Sequence, residues 1–272
     1  MTTMVGGLPA TGEEVVPGIS VRTVPFDQPW EWLAAGWRDL WTHPATSLSY
    51  GAAFAVIAAL LAWGTTMTGA QSIVLALFGG FLLIGPLIAA GLYDISRRIE
   101  ADQPVSLGRA LKSIVRPKGQ LGFMGIALFL IFVVWMQIAF LLFMLFAGGR
   151  GFPPPEQFVH MLFFTSHGLG LLVVGTLAGA ILAFITFAVS AVSVPLLMVR
   201  DIDVVTAMRT SVRAVVANPK AMVLWAALIS GFVVLGILTM CAGLVVMFPL
   251  VGHATWHAFK DLVILDDEAV EG

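Results

Sequence analysis

The chain has 272 residues, of which 59% are hydrophobic and only 11% charged, against roughly 25% charged in a soluble domain. So few charges cannot cover a water-soluble domain of this size, and a net charge of −2 supplies no field for a polyanion. Soluble enzymes, disordered chains and nucleic-acid binders with a basic face are excluded, which leaves an integral membrane protein.

In chain order, residues 1–25 read as a disordered tail. They lack a basic stretch running into an apolar one, so no cleavable signal peptide is expected. An amphipathic helix follows over 27–43. Trp30, Leu33, Trp37, Leu40 and Trp41 fall at helical spacing, with Glu31, Arg38 and Asp39 assigned to the other face. Tryptophan favours the headgroup region, so this helix is expected to lie in the membrane interface.

Four stretches then contain no Asp, Glu, Lys or Arg: 45–93, 119–149, 157–199 and 221–259. A helix needs about 20 residues to cross the hydrocarbon. The runs are continuous rather than alternating, so they are helices rather than barrel strands. The first stretch holds crossings at 48–67 and 72–93, with 68–71 as the turn. The second holds one, at 121–147. The third follows Pro153, Pro154 and Pro155 and breaks at Ser166, His167 and Gly168. It divides into an outer surface helix, 156–165, and a long crossing, 169–199. The fourth forms either one kinked helix or two crossings, 221–238 and 242–259, joined at 239–241. Together these make a single membrane domain, 26–263, followed by an acidic tail, 264–272.

Basic residues set the topology, because cytoplasmic flanks are enriched in Lys and Arg. With six crossings, every basic residue except Arg150 lies on one side, which places both termini in the cytoplasm. A fivefold count would move only Lys260. Internal similarity favours six. Three times an amphipathic segment runs into an X-Pro step: His43-Pro44, Arg116-Pro117 and Asn218-Pro219. The second segment has Leu107, Ala110, Leu111, Ile114 and Val115 as its stripe. The third has Val205, Met208, Val212, Val215 and Val216. Each unit closes on an X-Pro-Leu step at Pro86, Pro195 or Pro249. Proline disfavours helix at the preceding residue, so each surface segment should end at its X-Pro step.

No acid or base sits in the middle of a crossing, where a proton relay or voltage sensor would place one. The candidate site is therefore polar residues near the cytoplasmic mouth. His253 and His257 share one helix face, four residues apart, a spacing that can place two imidazoles on one ligand. Asp94, Asp203 and His257 each follow a closing proline by eight residues, and His43 ends the first surface helix. These five are weak candidates for a binding site, and hydrogen bonds tying helix ends together are the simpler reading. No catalytic signature, metal or cofactor is expected. The single Cys241 reads as a small buried apolar side chain. Gln137 is expected to bond across helices, and Gly175, Gly179 and Ala183 to pack internally.

Several segments together resemble a known family: Gly36-Trp37-Arg38-Asp39-Leu40, Gly85-Pro86-Leu87-Ile88-Ala89-Ala90-Gly91-Leu92-Tyr93, Ser96-Arg97-Arg98-Ile99-Glu100 and Gly252-His253-Ala254-Thr255-Trp256-His257-Ala258. The chain resembles, over roughly 20–265, a domain-of-unknown-function family of predicted bacterial integral membrane proteins. Some of its members are labelled cytochrome c oxidase subunit I. The resemblance implies a multi-pass bundle in the bacterial inner membrane and carries over no catalytic residue.

The expected fold is all-α, a six-transmembrane-helix bundle of three helical hairpins with amphipathic interfacial helices on the cytoplasmic face. The expected function is non-catalytic, as an accessory or assembly factor for a membrane complex such as a respiratory one. A small-molecule or lipid transporter is the alternative, and a haem-binding membrane protein the third reading. The expected partners are the bilayer and a membrane protein, not nucleic acid. Anionic lipid heads are expected near Arg97, Arg98, Arg109, Lys112, Arg116 and Lys118.

Overall fold

The computed structural model describes residues 18–67, 74–115, 119–147 and 155–265. A short strand β1 (Ile19–Val21) pairs antiparallel with β2 (Val263–Leu265). Everything else that is regular among these residues is helix. The expected turn at 68–71, the Arg116-Pro117 step with Lys118, Arg150, and the tail from Asp266 lie outside the described residues.

Three times a short helix feeds at once into a long apolar one. The first pair is α1 (Gln28–Thr42) and α2 (Pro44–Met67). Pro29 stands in the first turn of α1, where a missing N–H leaves no bond unmade. Next come α3 (Val74–Ile88) and α4 (Ala90–Glu100), a nearly continuous rod bent just after Pro86. The second pair is α5 (Leu107–Val115) and α6 (Gln120–Ala147). Then follow α7 (Pro155–Phe164), α8 (Ser166–Ser190) and α9 (Ser193–Val199). The third pair is α10 (Val204–Ala217) and α11 (Pro219–Leu238), before α12 (Leu244–Leu262).

Five helical stretches are long and apolar enough to cross a membrane: Pro44–Thr65, Ala76–Glu100, Gln120–Phe146, Ser166–Val199 and Pro219–Leu238. The protein is thus an all-α membrane protein. The region expected as a sixth crossing, 242–259, corresponds to α12, which is not one of the five. It ends in Lys260 and Asp261, and 13 of its 19 residues are buried.

Helix α12 is the centre of the molecule, packed against α1, α2, α4 and α11. Close approach there depends on glycine. A Cβ added at Gly36 would lie 2.6 Å from the Ala254 nitrogen, and one at Gly51 would strike the Val245 carbonyl and Pro249. Nothing larger lets α1 and α2 lie this near α12. Trp32 meets Trp225 edge-on at 5.6 Å between ring centres. Tyr50, Phe54 and Phe81 surround Phe248. The turn from α11 into α12 is tight enough to hold Met240 and Cys241 at φ 56 and 66, a region ordinary residues rarely adopt.

Several expectations are corrected. Residues 18–25 are not a disordered tail. Beyond the β1–β2 pairing, the Val24 amide donates to Asn218 Oδ1 at 2.7 Å and Asn218 Nδ2 donates to the Arg22 carbonyl at 2.9 Å. The long crossing 169–199 is not one helix. It starts at Ser166, capped by Thr165 accepting from the Gly168 amide, and breaks at Ala191 and Val192 ahead of Pro195. The second crossing does not stop at Tyr93 but continues through α4 to Glu100. The valine stripe of α10 faces outward. Only Val215 of it is buried, and Ala207, Thr210, Ser211 and Ala214 form the inner face. Small side chains on that inner face let α10 lie close to its neighbours. Gln137 is exposed and makes no hydrogen bond with the described residues.

Candidate functional site

The polar residues near one end of α12 form a single chain joining four helices, buried at His253 and half-buried at His257. Helix α1 supplies Asp39, α2 supplies Ser47, α4 supplies Ser96 and Glu100, and α12 supplies His253 and His257. His253 is fully buried. Its Nε2 lies 3.0 Å from Ser47 Oγ and its Nδ1 lies 2.8 Å from Ser96 Oγ. Ser96 Oγ donates to Asp39 Oδ2 at 2.6 Å.

Those distances determine where the protons sit. A carboxylate can only accept, so the single Ser96 hydrogen goes to Asp39. Ser96 must then accept from His253, which places a proton on Nδ1. Nε2 is left as an acceptor for the Ser47 hydroxyl. The result is a neutral imidazole with a directional chain running Ser47, His253, Ser96, Asp39. His257 Nε2 reaches the same Asp39 oxygen at 2.9 Å, and its Nδ1 faces Glu100 Oε1 at 3.9 Å.

This sequence of serine, imidazole and carboxylate has the hydrogen-bond order of a nucleophile relay. Ser47 and His253 have no exposed surface. The bonds of this chain tie α1, α2 and α4 to α12. A second tie lies close by, where Gln28 Nε2 and Trp32 Nε1 both donate to Asp261 Oδ2 at 2.9 and 2.7 Å.

Of the five residues singled out in the sequence, the structure brings His253 and His257 into this one chain. Asp94 is buried but turns to its own helix, accepting from Arg97 Nη2 at 2.6 Å and Arg98 Nε at 2.7 Å. Asp203 caps α10. The Thr206 hydroxyl and then the Thr206 amide bond to its carboxyl and hold it below the usual carboxylate range. His43 is exposed at the end of α1. Asp94, Asp203 and His257, alike in their position after a closing proline, thus bond to different partners. Among the described residues, no group of three or more His, Cys, Asp or Glu is placed to hold a metal ion.

Asp39, Ser47, Ser96 and Asp261 were not anticipated. Asp39 was assigned to the polar face of α1, whereas it is buried beside Gly36 and Leu40. A signal was present. Trp32, Gly36 and Asp39 recur at helical spacing, and a glycine amid large side chains marks a close approach. The two faces of α1 are thus both apolar in part. Leu33 and Leu40 point inward, while Trp30, Trp37 and Trp41 are about half exposed.

A second feature is a cavity of about 270 Å³ between α3, α8, α11 and α12. Phe81, Phe184, Phe187, Trp225 and Phe248 form its walls, with Gly85, Ala183 and Gly252 between them. Its polar side chains are Tyr93, Ser190, Ser230 and Thr255. Ser190 and Thr255 donate back to carbonyls of their own helices, Thr186 and Val251.

Residues 73–199 match the family model described as predicted integral membrane protein (DUF2189). No curated protein and no solved structure matches the chain. The matched segment runs from α3 to α9. It contains Asp94, Ser96 and Glu100 but not Asp39, Ser47, His253 or His257, so most of the polar chain is supplied by flanking helices.

Proposed function

We propose that this protein is a bacterial inner-membrane protein without catalytic chemistry of its own, serving as an accessory or assembly factor for a membrane complex. The observation that carries this reading is the contrast in burial along the spans. Only 6% of the most apolar part of Ser166–Val199 is fully buried, the lowest share among the five spans. It is also the longest of the five, at 34 residues. A Cβ at Gly175 would meet nothing within 4 Å, so a partner helix can approach there closely. Small residues matter at such contacts because lipid gives helices no hydrophobic drive to associate. Gly179, one turn on, already packs on Trp135.

In this reading α12 crosses as a sixth helix shielded by α1, α2, α4 and α11, and both termini face the cytoplasm. Helices α1 and α10 lie in the interface, with Trp30, Trp37 and Trp41 and the outward valines of α10 at headgroup level. Arg97, Arg98, Arg109 and Lys112 stand on that side, within reach of anionic lipid heads. A phosphatase reporter fused after Gly272 should be silent and a fluorescent one active. Affinity purification from native membranes, read by mass spectrometry, should recover a stoichiometric membrane partner that Gly175→Leu loses. Recovery of the chain alone would defeat the accessory reading. The lipid-transport alternative draws on the cavity, which residues of five helices line.

A further inference from the structure

We propose that the cavity between α3, α8, α11 and α12 is a binding site for an acyl chain of a bilayer phospholipid, entered sideways from the hydrocarbon core. The site has a closed end and an open one. Tyr93, Ser190 and Thr255 close it and are buried, at 2, 1 and 6% exposure. Ala180, Phe184 and Ala227 are exposed and mark its mouth between α8 and α11. Beside that mouth stand Leu177 and Ile181 on α8 and Val223 on α11, all exposed on spans that the bilayer covers.

Two arguments identify the occupant. First, water does not fill such a space, because each buried water needs two to four polar partners. Two of the four polar side chains here have already donated their hydrogens to helix carbonyls. Second, an apolar cavity of about 150 Å³ is already enough to hold a benzene ring, and this one measures about 270 Å³. It would stay empty only by forfeiting the contacts of its aromatic walls. What lies against its mouth is lipid tails. The site is separate from the outer face of α8 at Gly175, so it does not depend on a partner docking there.

Gly85 offers a clean test, since a Cβ built on it meets nothing within 4 Å and a leucine there grows into the cavity. The full-length protein is reconstituted into nanodiscs of phosphatidylethanolamine and phosphatidylglycerol carrying a photoactivatable diazirine in the acyl chain. After illumination, adducts are mapped by peptide mass spectrometry. The wild type should concentrate adducts on the cavity faces of 180–187 and 225–233. Gly85→Leu and Ala183→Phe should both lose them while keeping adducts on the outer faces of α6 and α8. Adducts spread evenly over the lipid-facing helices of the wild type, or unchanged by either substitution, would show bulk lipid only and overturn the site. So would an apolar molecule other than phospholipid recovered at one per chain from an organic extract of the purified protein. The wild-type map stands as a test even if one substitution prevents folding.

Discussion

Helices α8 and α12 show opposite relations between hydropathy and burial. The span that begins with α8 has a mean hydropathy of 2.4, and only 6% of its most apolar part is fully buried. Helix α12 carries two histidines, a lysine and an aspartate, yet 13 of its 19 residues are buried. In water the apolar helix would be the buried one. In a bilayer the solvent is itself apolar, so hydropathy reports what faces lipid. The centre is then held by close backbone approach and by polar bonds that have no better partner outside.

That contrast can be broken most forcefully at its two glycines. Gly36→Leu should cost about 3 kcal/mol or more, because overpacking against a helix backbone cannot relax easily. Gly175→Leu, facing open space, should stay within about 0.5 kcal/mol of wild type, as surface changes do. Thermal unfolding in detergent compares them directly. Equal losses would mean that α8 is as enclosed as α12.

The polar chain gives a smaller and graded effect. His253→Ala removes a bond of the Ser47 hydroxyl and one of the Ser96 hydroxyl, all buried, and should cost about 1–3 kcal/mol. His257→Ala removes one bond at a partly exposed position and should cost about 1–2 kcal/mol. The same unfolding measurement should rank His253 above His257. The reverse order would place the weight of the chain at the Asp39–His257 end. Neither substitution should create or remove a visible absorption band.

The smallest effect is expected at Asp203, outside both regions. Its carboxyl is held below the ordinary range by Thr206, so the cap stabilises α10 above the usual aspartate pKa. That contribution fades as pH falls through the lowered value. Hydrogen exchange of the amides at 204–207 should speed up on acidification in the wild type. In Asp203→Ala it should be fast throughout and lack this transition.

Much of the fold was legible because lipid forces long uncharged runs to be helices. The presence of the five spans, though with a sixth also expected, of the helix at Pro155–Phe164 and of the three short helices ahead of α2, α6 and α11 follows from charge gaps, X-Pro steps and periodicity. The role of Asp39 was not legible. An aspartate next to Arg38 on an amphipathic helix reads as solvent-facing, and nothing local reveals a partner 218 positions away. His257 was singled out for a shared position after a proline, yet its partners came from α1 and α4 rather than from the equivalent residues of the other units. The repeated prolines set where helices bend, not which side chains meet.

By itself the sequence determined the class of solvent, the helical character of the long apolar runs and the presence of the short helices ahead of three of them, because these depend on local composition and backbone hydrogen bonding within one segment. The tertiary structure alone decided that α12 is the core, that residues 19–21 join the strand at 263–265, and that Asp39 and Ser96 complete the bonds of two histidines. Those outcomes depend on backbones meeting across more than 150 residues, at glycines whose value lies in the atoms they lack.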